Sequence, residues 1–477
     1  MIFERIQATG LAHYSYLFGD ETAGVCAIID PRRDIDVYLD LARQHGLRIT
    51  HILETHIHAD YVSGSRELAA RTGAPICGGA EGDYQFAFSP LEDGQTITIG
   101  EFTLDVIHTP GHTWEHVCFL VSGGEGAPAP WGLFTGDTLF AGEVGRPDIP
   151  GKEQEEPLAQ ALFDSLHNRL LSLGDEIVIY PAHGQGSPCG ASIGARQTST
   201  IGYERRHNEL LRIADPDRFT DEVLGALDRV PEYYRRMKVI NARGPDVLGA
   251  IPHLQPLDAA QFEREMAQPN TVVVDSRAIE AFGGAHVPGS LNIALRDAFT
   301  TWAGRLLELI PPDGDPGKRR ILLVTEEPSD LETAHIALVR VGHDNVVGYL
   351  RNGIRGWTEA GRAFDSIAQM SIHTLKAHIE AGDRLQILDV RSDEEWAEGA
   401  IPTARHIYVP DIVDQAERLE RSEPIVTYCG SGYRASMAAS ILARQGFERI
   451  YNVPGSITAW EDAGYPLEET GDGDRSD

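Results

Sequence analysis

Short apolar runs separated by turns predict buried strands in the first half of the chain. Val25–Ile29 and Ile49–Leu53 are runs of this kind, and their length suits a strand better than a helix. Thr96–Ile107 is hairpin-like, turning at Gly100-Glu101, and its second arm alternates apolar and polar residues. These segments predict strands joined by short connections.

Helical spacing of apolar residues occurs between these strands. Ser65–Thr72 follows it, and Gly73 is predicted to stop this helix, because glycine readily takes the left-handed conformation found after helices. Pro157–Leu173 predicts a longer helix with Gly174 as its C-cap. Gly123–Pro130 is rich in Gly, Ala and Pro and predicts a loop. The alternation of strands and helices indicates an α/β domain that ends near residue 250.

The second half of the chain contains an internal repeat. Val272–Arg277, an apolar run ending in Asp-Ser-Arg, returns as Gln386–Arg391, which ends in Asp-Val-Arg. A later Gly-x-x-x-Trp segment ending at Trp357 is matched by a similar segment ending at Trp460. Each unit is a little over one hundred residues in which strands alternate with helices. This pattern predicts a parallel sheet with helices on both faces.

Length and charge bear on the number of domains and on the kind of binding partner. A chain of 477 residues is too long for one hydrophobic core, so we expect three domains, at residues 1–250, 251–365 and 366–477. The formal net charge of −31 argues against nucleic acid or an anionic membrane as the main partner.

Cysteine usage and hydropathy indicate the compartment. Five scattered cysteines suit a reducing environment better than a disulfide framework. Cys26, Cys77 and Cys118 lie in strand-like apolar runs and are predicted to be core residues. The N-terminus lacks the pattern of a secretory signal, and no apolar run approaches the roughly 20 residues of a membrane helix. We therefore expect a cytoplasmic protein.

Candidate metal ligands stand where predicted strands end. The segment Thr55–Asp60 follows one strand and alternates His56, His58 and Asp60, so these side chains can share one side of the segment. Three further turns place a candidate ligand after a predicted strand; these candidates are His112, Asp137 and His183. Imidazole and carboxylate groups gathered at strand ends predict a metal site. The spacing alone also permits His58 as a ligand.

The strings THIHADYVSG, HTPGHTWEH, LFTGDTLFAGEVGRPD and YPAHGQGSPCG resemble the metallo-β-lactamase fold, and most of all its persulfide dioxygenase branch. The resemblance implies an αββα sandwich. It also implies one Fe²⁺ per chain, held by His56, His112 and Asp137. His58, Asp60 and His183 would then orient these ligands or hold a second metal ion.

Tyr61 departs from the wider superfamily pattern. Hydrolases of this fold, such as glyoxalase II, usually have a histidine after the aspartate of the HxHxD segment, which provides a ligand for a second metal. A tyrosine hydroxyl is a poorer zinc ligand at neutral pH because its ordinary pKa is about 10. A mononuclear centre is therefore expected.

Both repeats resemble rhodanese sulfurtransferase domains, so the predicted fold class is α/β, with a metallo-β-lactamase sandwich followed by two rhodanese-like domains. In the second copy, the loop resembles the C-x-x-G-x-R loop of an active rhodanese, with Cys429 as nucleophile and Arg434 adding charge. Its sulfur-binding backbone is expected at Gly430, Ser431, Gly432 and Tyr433. The first copy has no cysteine there, and Glu326 and Glu327 take the place of the nucleophile. We expect it to be inactive.

Two residues near the predicted metal site admit two interpretations each. Cys189 could face the metal pocket and carry sulfur, or could be a small buried thiol. Arg146 could bind a substrate carboxylate, or could form an ordinary ion pair.

These observations predict an iron persulfide dioxygenase with a thiosulfate sulfurtransferase domain that functions in sulfide detoxification. The expected partners are a small persulfide such as glutathione persulfide, O₂, and sulfite or thiosulfate. The sequence is also compatible with a homo-oligomer. The main alternative is a zinc thioester hydrolase resembling glyoxalase II. A second alternative is a sulfur-relay scaffold without catalytic activity.

Overall fold

The computed structural model describes residues 1–124, 129–310 and 318–470. These residues form two compact units. The first unit consists of Met1–Pro252 together with the short segment Val339–Gly342, and the second contains the other described residues from His253 onward. Among the described residues, no helix is long and apolar enough to cross a membrane.

The described residues of the first unit contain two six-stranded sheets. The strands of one sheet follow chain order: β1 (Ile2–Ala8), β2 (His13–Asp20), β3 (Val25–Ile29), β4 (Arg48–Leu53), β5 (Ile76–Gly79) and β6 (Ser89–Leu91). The second sheet runs in reverse order, from β12 to β7: β7 (Thr96–Ile99), β8 (Phe102–His108), β9 (Val117–Gly123), β10 (Gly132–Gly136), β11 (Val178–Pro181) and β12 (Ser199–Thr200).

The described part of this unit contains six α-helices. They are α1 (Asp36–Gln44), α2 (Ser65–Thr72), α3 (Glu155–Asp164), α4 (Ile201–His207), α5 (Pro216–Gly225) and α6 (Tyr234–Arg243). Side chains such as Phe18, Leu104 and Phe134 fill a core between the sheets. Separate apolar clusters pack α1 and α2 on the first sheet, and α3 and α5 on the second. The predicted αββα sandwich is confirmed.

Most predicted elements of this unit are confirmed. β3 has the predicted bounds, and the hairpin of β7 and β8 turns at Gly100-Glu101. Helix α2 ends at Gly73, which has a left-handed φ of 75°. The predicted loop at Gly123–Pro130 lies partly outside the described residues. Cys26, Cys77 and Cys118 are buried as predicted.

The segment Pro157–Leu173 is helical almost throughout, as predicted, but it is not one α-helix. Helix α3 ends at Asp164, a π-helical turn spans Ser165–Arg169, and a 3₁₀ turn at Leu170–Ser172 completes the segment. The segment is followed by Leu173 in an extended conformation, so Gly174 is not a C-cap. At the start of the π-helical turn, the Ser165 hydroxyl donates a hydrogen bond to the carbonyl oxygen of Pro110 at 2.7 Å.

The second unit contains two sheets whose pairings are all parallel among the described residues. The first has the order β13-β17-β16-β14-β15. Its strands are β13 (Pro256–Leu257), β14 (Thr271–Asp275), β15 (Leu291–Asn292), β16 (Arg320–Val324) and β17 (Val346–Leu350). Its helices are α7 (Ala259–Met266), α8 (Ile279–Gly284), α9 (Phe299–Leu309), α10 (Pro328–Arg340) and α11 (Gly353–Glu359).

The second sheet has the equivalent order β18-β22-β21-β19-β20. Its strands are β18 (Ala368–Gln369), β19 (Gln386–Asp389), β20 (Arg405–His406), β21 (Ile425–Tyr428) and β22 (Ile450–Asn452). Its helices are α12 (Ile372–Ala381), α13 (Asp393–Ala397), α14 (Ile412–Gln415), α15 (Tyr433–Arg444) and α16 (Ser456–Asp462). The segment 364–371, which spans the expected domain boundary between residues 365 and 366, contains β18, because Ala368 and Gln369 pair with β22.

The two copies repeat the same local interactions. Arg277 forms an ion pair with Asp275 at 2.6 Å, and Arg391 forms the equivalent pair with Asp389 at 2.6 Å. The indole N–H of Trp357 donates to a carbonyl six residues later, and that of Trp460 does the same. The repeat seen in the sequence is therefore a repeat of the fold.

Helix α15 of the second copy packs against the edge of the first copy. One apolar cluster includes residues of both copies, for example Leu291 and Met437. Asn292 lies at the polar margin of this cluster. Its side-chain oxygen accepts a hydrogen bond from the Ser436 hydroxyl at 2.6 Å, and its backbone N–H donates to the Ser440 hydroxyl. The Tyr433 hydroxyl donates to the carbonyl oxygen of Ala294 at 3.0 Å. The two copies thus form one unit with a shared core.

We expect Asn292→Ala to lower the free energy of unfolding by about 1–3 kcal/mol, because it leaves buried polar groups of both copies without partners. Thermal and urea unfolding followed by circular dichroism will measure this change. Asn168→Ala, at an exposed position, is the matched control and should change stability by less than about 0.5 kcal/mol. Equal losses in the two variants would contradict the proposed importance of Asn292.

Candidate metal centre and sulfur-carrying loop

The strand ends of the first unit bring three predicted ligands together. His56 follows β4, His112 lies in the turn between β8 and β9, and Asp137 follows β10. Oδ2 of Asp137 lies 3.7 Å from Nε2 of His56 and 3.4 Å from Nε2 of His112. All three side chains are buried, and one ligand atom from each lies within 4.8 Å of the others. This arrangement can hold a metal ion with two imidazoles and one carboxylate.

Hydrogen bonds orient both imidazoles toward Asp137. Nδ1 of His112 donates to the carbonyl oxygen of Arg146 at 2.8 Å. Nδ1 of His56 lies 2.9 Å from the Thr55 hydroxyl, which itself donates to Asp30 at 2.9 Å. Because the Nδ1 atoms are used in this way, the Nε2 lone pairs are left for a metal ion.

The donor atoms at this point fit a cation. Nε2 of His112 and Oδ2 of Asp137 are buried and have no hydrogen-bond partner among the described residues. Such atoms are costly in a folded protein unless a partner satisfies them. Burial alone would raise the pKa of Asp137, but His183 and His112 hold it well below its usual range. A permanently charged carboxylate beside two unprotonated imidazole nitrogens is a suitable donor set for a divalent metal.

His183 connects the centre to Asp60. Its Nδ1 lies 2.7 Å from Oδ1 of Asp137 and its Nε2 lies 2.8 Å from Oδ2 of Asp60. Burial alone would lower the pKa of His183, but the Asp137 carboxylate in particular raises it well above its usual value. A protonated His183 donates to both carboxylates and fixes Asp137.

His58 points away from the three clustered ligands. Its Nε2 lies 3.1 Å from Asp30 and 3.4 Å from Glu54. Burial opposes protonation, yet these two carboxylates raise the pKa of His58 to about 10. A protonated imidazole cannot coordinate a metal, so the geometry favours His58 as part of a buried ion pair. The resemblance gave His58 this supporting role.

Tyr61 does not offer its hydroxyl to the centre. The side chain is fully buried, and the hydroxyl donates to the carbonyl oxygen of Asp30 at 3.2 Å. The position that provides a histidine for a second metal ion in related hydrolases is therefore engaged in a structural hydrogen bond.

Several residues of the centre were not singled out from the sequence. His116 accepts a hydrogen bond at Nε2 from the backbone N–H of Asp137 at 3.0 Å, which fixes the loop carrying that ligand. A Cβ on Gly145 would lie 1.7 Å from the Asp137 carbonyl oxygen, so only glycine fits there. His116 ends the string HTPGHTWEH, and its place in a ligand-bearing turn was a usable signal. Asp30 and Glu54 gave no such signal, because each is a single acidic residue at a strand end.

Helix α6 also contributes to the centre. The Asn241 side chain donates to the carbonyl oxygens of His58 and Tyr61, at 2.8 and 2.7 Å, and accepts from the N–H of Ser63. It therefore fixes the loop that follows the HxHxD segment. The sequence offered no indication of this role, because Asn241 lies almost two hundred residues from its partners.

Arg146 forms a buried ion pair, the second of its two interpretations. Its guanidinium binds Asp148 at 2.7 and 2.8 Å and donates to the carbonyl oxygens of Pro188 and Asp228. The side chain is buried, and its nitrogens are committed to these oxygens. The prediction that Arg146 binds a substrate carboxylate is therefore not supported.

Cys189 lies next to the centre and is fully buried. It forms a cluster with Asp60 and His183, and its sulfur lies 3.8 Å from the Tyr234 hydroxyl. Burial raises the pKa of Cys189 to about 11, so the thiol is protonated at neutral pH. Cys189 is thus a buried thiol that adjoins the candidate metal pocket, and its predicted role as a sulfur carrier stays a prediction.

The second copy of the repeat places Cys429 directly after β21. The N–H of Gly432 donates to its sulfur at 3.2 Å, and Gly432 has a left-handed φ of 100°. Helix α15 begins at the next residue, Tyr433, so its N-terminus lies beside the sulfur. This geometry can stabilise a sulfur anion with a backbone donor and a helix dipole.

Arg434 is held by a carboxylate. Its guanidinium donates to both oxygens of Glu395, at 2.5 and 2.6 Å. The charge that Arg434 was predicted to add is therefore largely balanced, and its main effect is to fix one side of the loop. Glu395 lies in α13 and was not singled out from the sequence.

The register of the sheets corrects the alignment of the two copies. Asp275 pairs with Val324 in the first sheet, and Asp389 pairs with Tyr428 in the second. Thr325 therefore takes the position of Cys429, and Glu326 and Glu327 follow it. The prediction that the two glutamates replace the nucleophile is wrong by one residue.

The same alignment covers the rest of the loop. Asp330 takes the position of Arg434, and Ala281 that of Glu395. The first copy thus lacks the thiol and both members of the ion pair, in agreement with the expected loss of activity.

Comparisons with known proteins agree with this architecture. The family model for the Metallo-beta-lactamase superfamily matches residues 8–183, and the Rhodanese-like domain model matches residues 258–360 and 371–463. A solved structure of a metallo-beta-lactamase from Staphylococcus aureus subsp. aureus COL is 32% identical with a TM-score of 0.64. That similarity covers 74% of this chain and 99% of the other.

Two curated relatives carry different activities in their names. Persulfide dioxygenase ETHE1, mitochondrial, from Homo sapiens is 32% identical over 194 residues, 38% of this chain and 66% of the relative. A hydroxyacylglutathione hydrolase from Maricaulis maris is 36% identical over 173 residues, 36% of this chain and 62% of the relative. The chain thus spans slightly less than two thirds of the length of these relatives.

The fold and the match along nearly the whole of a solved relative define the class of this protein. The chain belongs to the metallo-beta-lactamase superfamily. Its particular form is a metallo-beta-lactamase domain with persulfide dioxygenase relatives, followed by two rhodanese-like domains. The two curated relatives show similar identity, so the reaction must be argued from the site.

We expect about one metal ion per chain after anaerobic purification, and its loss in His112→Ala and Asp137→Ala, because each change removes one of the three clustered donors. Elemental analysis by mass spectrometry will measure the metal content. His207→Ala, at an exposed histidine of the same unit, is the control and should keep the metal. Full metal content in either ligand variant would show that the donor set is wrong.

Proposed function

We propose that this protein is a non-haem iron persulfide dioxygenase coupled to a sulfurtransferase. The observation that carries the proposal is the cluster of His56, His112 and Asp137. His58 lies outside this cluster because it pairs with Asp30 and Glu54. Two imidazoles and one carboxylate, with further coordination positions open, are the donor set of Fe(II) oxygenases. The reaction is R–S–SH + O₂ + H₂O giving R–SH, sulfite and two protons.

The bound Fe²⁺ would supply open coordination positions and redox chemistry for oxygen activation. The residues of the chain hold it and control its surroundings. His56 and His112 present Nε2, while Asp137 keeps its negative charge because His183 donates to it. Burial of the cluster excludes bulk water, which strengthens these electrostatic interactions. The Asp60–His183 pair keeps a proton at Nε2 of His183.

Sulfur transfer is assigned to Cys429 by the same proposal. A persulfide on this residue transfers its outer sulfur to sulfite: Cys429–S–SH + SO₃²⁻ gives the Cys429 thiol and thiosulfate. The S–S bond breaks, its electron pair stays on the cysteine sulfur, and a new S–S bond forms in thiosulfate. The Gly432 N–H and the N-terminus of α15 stabilise the negative charge that develops on the cysteine sulfur. Arg434, fixed by Glu395, closes one side of the loop.

The competing candidate is a zinc thioester hydrolase, favoured by the 36% identity to a hydroxyacylglutathione hydrolase. A second metal ion would need ligands from Asp60, His183 and the position of Tyr61. The Tyr61 hydroxyl instead donates to Asp30, and His183 is hydrogen-bonded through both nitrogens. These contacts favour the mononuclear dioxygenase. Oxygen uptake with glutathione persulfide, compared with hydrolysis of lactoylglutathione, will separate the two functions.

We expect Cys429→Ser to consume oxygen with glutathione persulfide but to release sulfite where the unchanged protein forms thiosulfate. A serine hydroxyl stays protonated at neutral pH and is a far weaker nucleophile than a thiolate. Product chromatography after thiol-reactive labelling, together with an oxygen electrode, will measure both effects. If the variant keeps its iron and fold but loses oxygen uptake, Cys429 delivers sulfur to the iron and the order of steps is reversed.

We expect Glu395→Ala to lower the sulfurtransferase kcat/KM by about tenfold, because Arg434 loses the carboxylate that fixes it beside the loop. Transfer of sulfur from thiosulfate to cyanide will measure this loss. Glu395→Gln keeps one acceptor oxygen and should recover part of the activity. Glu394→Ala, at the exposed neighbouring position, is the control. An equal change in the Glu394 and Glu395 variants would contradict a positioning role for Glu395.

A further inference from the structure

A short segment from the second half of the chain is built into the unit that holds the candidate metal centre. Val339–Gly342 forms the end of α10 and the turn after it, within the sequence of the degenerate copy. Its contacts nevertheless make it part of the first unit. Arg340 is buried, and Val341 is completely so. The proposed reaction gives these residues no task.

The segment binds the metal loop, residues 55–63, which carries the HxHxD residues. The N–H of Val62 donates to the carbonyl oxygen of Arg340 at 2.7 Å. Val62 stands two residues after Asp60, the last residue of the HxHxD pattern. The side chain of Val341 belongs to the same buried apolar cluster as Tyr61. Both contacts therefore act on the part of the metal loop that directly follows the HxHxD residues.

Helix α6 connects the segment to the same loop. Arg236, in the first turn of this helix, donates to the carbonyl oxygens of Val341 and Gly342, at 3.0 and 3.1 Å. Asn241, near the end of the helix, donates to two carbonyl oxygens of the metal loop. The helix therefore holds the segment and the metal loop together, and the metal loop receives hydrogen bonds from Asn241 while it donates one to the segment.

The side chain of Arg340 anchors the segment. Its guanidinium donates to both carboxylate oxygens of Asp34, at 2.7 and 2.9 Å, and to the carbonyl oxygen of Thr9 at 3.3 Å. The side chains of Arg340 and Asp34 are both mostly buried, so little water competes for them. A bidentate pair of this kind has a well-defined geometry. The carbonyl oxygen of Arg340 is therefore presented to Val62 at a fixed position.

The second rhodanese-like copy shows the same turn without these contacts. On the alignment of the two loops given above, Val341 corresponds to Gln445 and Gly342 to Gly446. Both glycines have a left-handed φ, of 75° and 85°. Gln445 is half-buried and Gly446 is exposed, whereas Val341 and Gly342 are buried. The first copy thus has an apolar residue where the second has a polar one, as expected of a turn that packs against a partner.

We propose that residues 340–342 position the metal loop, so that the degenerate copy contributes to metal binding without any chemistry of its own. These are positioning residues, which act on the candidate ligand His56 through the backbone of Val62 and the side chain of Tyr61. A loop that is bound from two sides keeps its ligand at the distance the metal ion requires. The inference goes beyond the proposed function, because it concerns the metal centre whichever reaction takes place there.

The test measures how fast the full-length protein, loaded with Fe²⁺ under anaerobic conditions, releases its metal ion. An excess of the chelator ferrozine traps the released ion, and the colour of the complex gives the rate. Gly342→Ala adds a Cβ that would lie 2.8 Å from Nη1 of Arg236 and 2.9 Å from Cε of Met237, so the segment must shift. We expect release to become about tenfold faster, the lower end of the loss found when residues that orient metal ligands are changed.

Gly446→Ala is the matched control, because it introduces the same backbone strain at the equivalent turn of the second copy. There the new Cβ would lie 3.5 Å from Nη1 of Arg421, an ordinary contact distance. This variant should release the metal ion at the rate of the unchanged protein. Val341→Ala tests the segment without backbone strain and should also speed the release, by a smaller factor. Equal acceleration in the two glycine variants would overturn the proposal, as would unchanged release in both Gly342→Ala and Val341→Ala.

Hydrogen exchange separates a positioning role from a general loss of stability. In Val341→Ala, the peptide that contains Val62 should exchange faster, whereas peptides from α3 in the same unit should keep their rates. Faster exchange throughout the first unit would overturn the proposal, since the metal ion would then be lost together with the fold. Neither measurement uses a substrate. A protein that gives the expected release and exchange but consumes no oxygen would therefore contradict the proposed function alone.

Discussion

The buried carboxylate of Asp137 provides the interactions on which the candidate metal centre depends. One of its oxygens faces the imidazoles of His56 and His112, and the other accepts from His183. Its backbone N–H is held by His116. A carboxylate in this position must stay charged without water, which requires several donors at fixed distances. Asp137 follows β10, and the ends of β4, β8 and β11 meet at it, supplying His56, His112 and His183.

The sequence predicted those features of the protein that depend on residues close together in the chain. Strand ends followed by HxHxD, PGH, TGD and PAH located the candidate ligands, and the repeated Asp-x-Arg located the paired folds. The direction of His58 was not predictable, because it depends on Asp30 and Glu54, whose partners are set by tertiary packing. Asn241 and Glu395 were missed for the same reason, since each acts on a loop far away in the chain. The two interpretations of Arg146 stayed open, because the sequence does not show which oxygens surround a guanidinium.

The two rhodanese-like copies show which features belong to the fold and which to the chemistry. Both keep the buried Asp-Arg pair and the tryptophan that bonds a carbonyl six residues later. Only the second keeps the cysteine, the arginine and the glutamate that binds it. The ion pair of Arg434 and Glu395 therefore accompanies the thiol, whereas the Asp-Arg pair accompanies the sheet. A comparison within one chain thus separates the two roles without reference to another protein.

The packing of helix α15 on the first copy has an evolutionary consequence. A domain that has lost its own nucleophile would ordinarily be free to drift or to disappear. Here its strand β15 carries Asn292, which forms hydrogen bonds with the helix that starts beside the Cys429 loop. Selection can therefore relax at Thr325 and the residues after it while it continues to act on the surface around Asn292. The degenerate copy would be expected to vary quickly at its former active site and slowly along this shared border.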